Sequence, residues 1–198
     1  MEPDGKIVVA CLGDSITAGS PAWDPDPAVR ATISKPNPES QYEYWAARAD
    51  PRLKLRNCGV YGLRTDEIAE RLDACADGAR LLVVQGGIND IAQGRPVEEA
   101  AENLRAMVLR GRDLGLQLAL ANVLPWNNGY PQAEDPIRSL NALLDAIGTE
   151  ESVPVLRFYE TLEDSQRPGR MREEWTSDGD HPSVEGYRRL GELAFRFP

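Results

Sequence analysis

One histidine, His181, occurs in this chain, within Trp175-Thr176-Ser177-Asp178-Gly179-Asp180-His181-Pro182. Any imidazole acid–base chemistry near neutral pH must therefore use this residue. A serine hydrolase needs one imidazole, to take the nucleophile's proton and return it to the leaving group. Asp178, three residues earlier across a glycine, can fold back to orient the ring. Asp180 competes for that role, but adjacency to His181 directs its carboxylate elsewhere. Near the N-terminus, Gly13-Asp14-Ser15 offers Ser15 as the nucleophile, although the three residues are also ordinary turn formers. Pro182 disfavours helical backbone at His181 and suits a first helical position, so the ring should project from a helix start. A solvated turn with an incidental histidine is the competing reading. Asp178, Asp180 and His181 could also ligate a cation. A transition-metal site wants further histidine or suitably spaced cysteine, so neither metal nor cofactor is expected.

Two further segments sit where chemistry needs hydrogen-bond donors. In Asn57-Cys58-Gly59-Val60-Tyr61-Gly62, two glycines permit a tight turn and an unhindered N–H. The segment also reads as a plain strand-to-helix turn. In Gly86-Gly87-Ile88-Asn89-Asp90, the Asn89 amide can donate to a developing oxyanion, though Asn and Asp serve turns equally well. Asp14 and Asp90 read as loop-ordering residues, since each neighbours a candidate position with no proton of its own to transfer.

The elements that must hold these residues follow from the apolar pattern. Five short β-type runs recur at 6–12, 53–57, 80–85, 116–123 and 153–158. Several are nearly continuous in apolar residues, as strands covered on both faces are. Helical patterns fall between them, at 41–49, 65–76 with Thr65 as N-cap, 96–114 and 135–148, and a last helix begins at Pro182. The alternation predicts a parallel sheet with helices on both sides. Two long loops, 21–38 with five prolines and 124–136, follow the first and fourth strands. Loops past the carboxyl ends of parallel strands wall the sites of such sheets. Trp23, Trp126 and Tyr130 are accordingly expected against a substrate, with Asn127 and Asn128 beside them.

Composition narrows the partners. The 198 residues suffice for one α/β domain, read here as 1–198. With 32 acidic against 22 basic residues the net charge is −10, which repels phosphate backbones, and nucleic acid is not expected. No apolar run approaches the ~20 residues that span a bilayer, so neither is a membrane. The acidic N-terminus followed by a short apolar run is a poor secretory signal, which favours a cytoplasmic protein. Cys11, Cys58 and Cys75 show no metal-ligand spacing. They are expected as buried free thiols, a Cys11–Cys58 bridge being the alternative.

Taken together and in order, the four motifs resemble the SGNH hydrolases, also called GDSL esterases/lipases, over essentially the whole domain. Gly13-Asp14-Ser15 is similar to the family's first block, Asn57 to Gly62 to its Asn-x-Gly-x-x-Gly block, Gly87-Ile88-Asn89-Asp90 to its Gly-x-Asn-Asp block, and Asp178 with His181 to its Asp-x-x-His block. Tyr61 departs from the pattern, since many relatives carry serine there. The resemblance implies a flavodoxin-like α/β/α sandwich with strand order 2-1-3-4-5. It also implies a Ser15-His181-Asp178 triad and an oxyanion hole from the N–H groups of Ser15 and Gly62 and the Asn89 amide. The expected activity is hydrolysis of short-chain carboxylic esters, O-acetyl groups on carbohydrate among them. A lysophospholipase or acyl-thioesterase using the same site, and a non-catalytic small-ligand domain, stay open.

Overall fold

The computed structural model describes residues 5–196. The expectation drawn from residues 1–4 lies outside them. The apolar runs form β1 (Ile7–Gly13), β2 (Leu53–Gly59), β3 (Leu81–Gln85), β4 (Gln117–Ala121) and β5 (Val155–Leu156). They pair in parallel in the order β2-β1-β3-β4-β5, so their carboxyl ends share one edge. β5 is shorter than the apolar run predicts. Pro154 before it has no N–H for a ladder, and Phe158 after it already starts a helix.

Ten α-helices are described: α1 (Ser15–Ala18), α2 (Pro27–Arg30), α3 (Tyr42–Ala49), α4 (Thr65–Ala69), α5 (Leu72–Ala76), α6 (Ile88–Ala92), α7 (Val97–Asp113), α8 (Glu134–Glu150), α9 (Phe158–Leu162) and α10 (Val184–Arg189). Strand side chains alternate between the two faces of the sheet. Ala10, Leu12, Leu82, Val84 and Leu120 meet Ile68 and Leu72 of α4 and α5, Leu104 and Met107 of α7, and Leu140 and Leu144 of α8. Val9, Cys11, Val83 and Ala121 meet Tyr42 of α3, Phe158 of α9 and Tyr187 of α10. The result is a three-layer α/β/α sandwich, in which each buried Leu, Val or Phe contributes roughly 1.5–3 kcal/mol by leaving water.

Three local expectations need correction. The single helix expected over 65–76 is two, because the Arg71 N–H turns back to the Ile68 carbonyl, a 3₁₀-type closure that ends α4. Thr65 is not the N-cap. Asp90 takes its N–H and hydroxyl, and the Arg64 N–H is held by Glu67 Oε2 at 2.9 Å instead. The last helix starts after Pro182, with Ser183 as cap and its hydroxyl accepting the Gly186 N–H at 3.2 Å.

The cysteines also differ from expectation. Cys58, at the end of β2, and Cys75, on α5, form a disulfide with Cα atoms 6.0 Å apart, an ordinary bridging distance. A Cys11–Cys58 bridge is ruled out by register: Cys58 pairs with Leu12 and Asn57 with Cys11, so the two thiols point to opposite faces. Cys11 is a buried free thiol. Denatured without reductant, the protein should therefore react with one equivalent of a thiol reagent, and with three after reduction. Three equivalents before reduction would exclude the bridge.

Candidate active site

Ser15 opens α1 immediately after β1, and Asp14 shapes that turn. One Asp14 carboxylate oxygen accepts the Ile16 N–H at 2.9 Å, capping the helix, and the other accepts the Gln85 side-chain amide at 3.1 Å. Gln85 Oε1 in turn accepts from the Asp14 N–H at 3.3 Å and the Thr17 hydroxyl at 2.9 Å. Gly13 is required beside this network, because a Cβ there would lie 2.3 Å from Thr17 Oγ1 and 2.6 Å from Gln85 Oε1. Burial pushes the Asp14 carboxyl up to about 6, against the pull of the Ile16 N–H, the Gln85 amide and the nearby His181 ring. Gln85 escapes a motif search. Its only sequence signal is a lone polar residue closing the apolar run of β3.

His181 is fixed by a tight loop that approaches from the other end of the chain. The Ser177 N–H and the Thr176 hydroxyl both donate to the His181 carbonyl, at 3.0 and 2.8 Å. Asp178 grips the residue twice, accepting its backbone N–H at 2.7 Å and facing ring Nδ1 at 2.9 Å. Ring Nε2 stands 3.1 Å from Ser15 Oγ. Ser15 is 5% exposed and His181 8%. Burial pushes the Asp178 carboxyl up, but hydrogen bonds from the His181 ring, the His181 N–H and the Asp180 N–H outweigh it and hold the group below the usual carboxylate range. Asp180 turns away, as expected: its carboxylate accepts from Trp126 Nε1 at 2.6 Å and Asn128 Nδ2 at 2.7 Å.

The donor segments are joined to each other. Asn89, on α6 just past β3, donates one amide hydrogen to the Leu63 carbonyl at 2.9 Å, next to Gly62. Asp90 accepts from the Thr65 N–H at 3.0 Å and the Thr65 hydroxyl at 2.8 Å. Gly62 has φ +80°, a left-handed conformation that glycine adopts without cost. The N–H groups of Ser15 and Gly62 meet no acceptor among the described residues. Asn57, the first residue of the second motif, binds the Thr17 carbonyl at 2.7 Å and the Gly59 N–H at 2.9 Å, joining β2 to α1.

The loop aromatics are each engaged. The Arg30 guanidinium lies 4.6 Å over the Trp23 ring, and that of Arg170 lies 4.2 Å over Tyr130. Trp126 is tied to Asp180 in the histidine loop. The amide of Asn127 is taken up by the Met171 backbone, and that of Asn128 by the Asp178 carbonyl and Asp180. Tyr61 is 66% exposed, its ring 6.0 Å from that of His181. Among the described residues no group of three or more His, Cys, Asp or Glu could hold a metal ion.

A serine, an imidazole and a carboxylate in one hydrogen-bonded row can perform acyl transfer. Residues 11–189 match the GDSL-like Lipase/Acylhydrolase family. The chain belongs to that family. GDSL-type hydrolases of known structure share its fold. A lipolytic protein of the G-D-S-L family from Desulfitobacterium hafniense is 22% identical, with TM-score 0.78, 94% of this chain and 97% of that one being covered. A G-D-S-L family member from Veillonella parvula is 19% identical, with TM-score 0.75 over 93% of this chain and 94% of that one. The lipase/acylhydrolase from Enterococcus faecalis is 24% identical, with TM-score 0.72 over 95% and 92%. No curated protein matches the chain. This GDSL-type chain is thus an ester-cleaving hydrolase by family, and no helix among its described residues is long and apolar enough to cross a membrane.

The buried Asp14 carboxyl gives the hydrolase a pH signature. Its folded-state value is raised, so folding favours the neutral form. That contribution is fully present below about pH 4 and is lost as pH rises through about 6. Relative to Asp14→Asn, the wild type should lose about 2.5 kcal/mol of unfolding free energy between pH 4 and 7. Urea unfolding of both proteins across that range measures it. Parallel curves would remove the charged group from the account.

Proposed function

We propose that the protein is a serine esterase acting on short-chain carboxylic esters, with Ser15 as nucleophile, His181 as general base and acid, and Asp178 as the carboxylate that orients the ring. The observation that carries this reading is the unbroken row from Asp178 Oδ2 to His181 Nδ1 at 2.9 Å and from His181 Nε2 to Ser15 Oγ at 3.1 Å. Asp178, held in its ionised range, keeps the proton on Nδ1 and leaves the Nε2 lone pair toward the hydroxyl.

His181 Nε2 takes the Ser15 proton as Oγ attacks the ester carbonyl carbon. The N–H groups of Ser15 and Gly62 and the second hydrogen of the Asn89 amide receive the oxyanion. The imidazolium then protonates the departing alcohol oxygen, leaving an acyl-serine. Water repeats the attack with His181 again as base, and the acid leaves. The near-complete burial of Ser15 and His181 favours a small acyl group such as acetyl. Trp126, fixed to the histidine loop, is the aromatic we place against the ester; Trp23 and Tyr130 are given no part in the reaction. A cytoplasmic location sits poorly with the Cys58–Cys75 bridge, because cytosolic thiols are kept reduced, and we place the enzyme in an oxidising compartment.

Initial rates on p-nitrophenyl esters from acetate to palmitate test the reading. Turnover should be highest at the short end. Ser15→Ala and His181→Ala should each lower kcat by about 10³-fold or more, with the double variant little worse. Asn89→Ala should cost about 10²–10³-fold in kcat. Asp178→Asn should lose far more than Asp180→Asn. Wild-type rates from Asn89→Ala would sink the oxyanion assignment, and ester turnover that survives Ser15→Ala would sink the nucleophile.

A further inference from the structure

A cleft of about 920 Å³ is not centred on the reacting atoms. It runs along the edge strand β2, between the proline-rich 21–38 segment on one side and α5 on the other. Ser15, His181 and Asn89 do not line it, but Tyr61 does, and the Tyr61 ring lies 6.0 Å from that of His181. Tyr61 therefore joins the cleft to the imidazole.

That side of the site has a defined chemical meaning. The imidazolium must reach the departing oxygen, so the alcohol arm of a bound ester lies on the His181 side, whichever acid is being released. The cleft offers such an arm an apolar wall from Pro25, Val29, Val60, Ala74 and the Cys58–Cys75 disulfide. Val29 and Tyr61 are among the few large hydrophobic side chains left exposed, and both fall in this cleft. Exposed apolar surface gathered in a concavity is characteristic of ligand sites. Charges of both signs line it as well, Asp24, Asp26 and Glu70 against Arg56 and Arg71, which selects no net charge in the occupant.

Building on the esterase reading, we propose that the β2-edge cleft is the alcohol subsite and that it accepts a neutral alcohol arm, apolar along its length. The Tyr61 ring forms its mouth, and the 21–38 segment is its outer wall. Selectivity for the alcohol therefore resides largely in the 21–38 segment and α5, which none of the four motifs covers, and meets the second motif along β2 and at Tyr61.

Two isomeric esters, hexyl acetate and ethyl hexanoate, separate the arms because they differ only in which side carries the chain. Ala74 is exposed on α5, and Ala74→Trp would fill the cleft. In that variant the kcat/KM ratio of hexyl acetate to ethyl hexanoate should fall at least tenfold from the wild-type ratio. Val29→Asp, which sets a carboxylate in the opposite wall, should lower the same ratio, so the test does not rest on one variant. A ratio unchanged in both variants overturns the proposal, and a ratio that rises assigns the cleft to the acyl arm instead. Wild-type turnover of ethyl acetate, abolished by Ser15→Ala, reports separately on the esterase reading. A wild type inert toward all three esters would defeat that reading and this proposal with it.

Discussion

Asp14 is buried at the junction of β1, β3 and α1, one carboxylate oxygen on the Ile16 N–H and the other on the Gln85 amide, and the position of Ser15 depends on that pair of bonds. Burying a carboxylate costs several kcal/mol unless its oxygens are satisfied. Here satisfaction comes from the helix that carries Ser15 and from the neighbouring strand, so the cost is reduced, though not cancelled, only when both are in place. Gln85 extends the tie to the Thr17 hydroxyl, and Thr17 meets the Tyr42 hydroxyl at 3.1 Å, inside the opposite helical layer. Close packing protects the arrangement: a Cβ on Gly59 would stand 2.0 Å from the Ala18 backbone nitrogen, so β2 approaches α1 as only a glycine allows. The first turn after β1 is thus held from three strands at once.

The donors around Ser15 follow a different logic. An N–H left without an acceptor in a buried region costs about 1–3 kcal/mol, and a fold tolerates it where something else answers. Buried Ser15 and half-buried Gly62 each present an N–H that meets no acceptor among the described residues, while their surroundings are heavily bonded. Asn89 holds the Leu63 carbonyl and Asp90 holds Thr65, so successive residues of α6 clamp successive parts of the turn after β2. Free donors on a rigid frame are what a transient oxyanion requires, because nothing need reorganise as the charge forms.

Much of this was legible in the sequence. The parallel sheet and the four motifs could be placed because buried parallel strands leave near-continuous apolar runs and because the chemistry needs particular residue types at strand ends, while the strand order came only from the family resemblance of those motifs. The unread parts are those set by partners distant in sequence. Thr65 has the composition of an N-cap, yet Asp90, 25 residues on, claims its hydroxyl. Cys58 and Cys75 look like buried thiols until the register sends Cys11 to the far face and leaves these two on the same side of the sheet. Asn127 and Asn128 look like substrate ligands by position, yet backbone groups of the 171–180 region absorb both. Short helices such as α1 and α6 carry too few residues for a period to show.

The two aspartates beside His181 show how local geometry settles what spacing leaves open. Asp178 lies at the start of a tight turn and turns its carboxylate inward, where one oxygen accepts the N–H groups of Asp180 and His181 at 2.9 and 2.7 Å. That is ordinary turn chemistry for aspartate, and it sets the second oxygen in front of ring Nδ1. Asp180 gives its own N–H to this turn, and its side chain points outward to Trp126 and Asn128. One carboxylate therefore orients the imidazole while the other fastens the loop after β4 to the loop that carries it. The short turn thus couples the histidine to the wall of the site, so that the ring and the surface beside it are positioned as one unit.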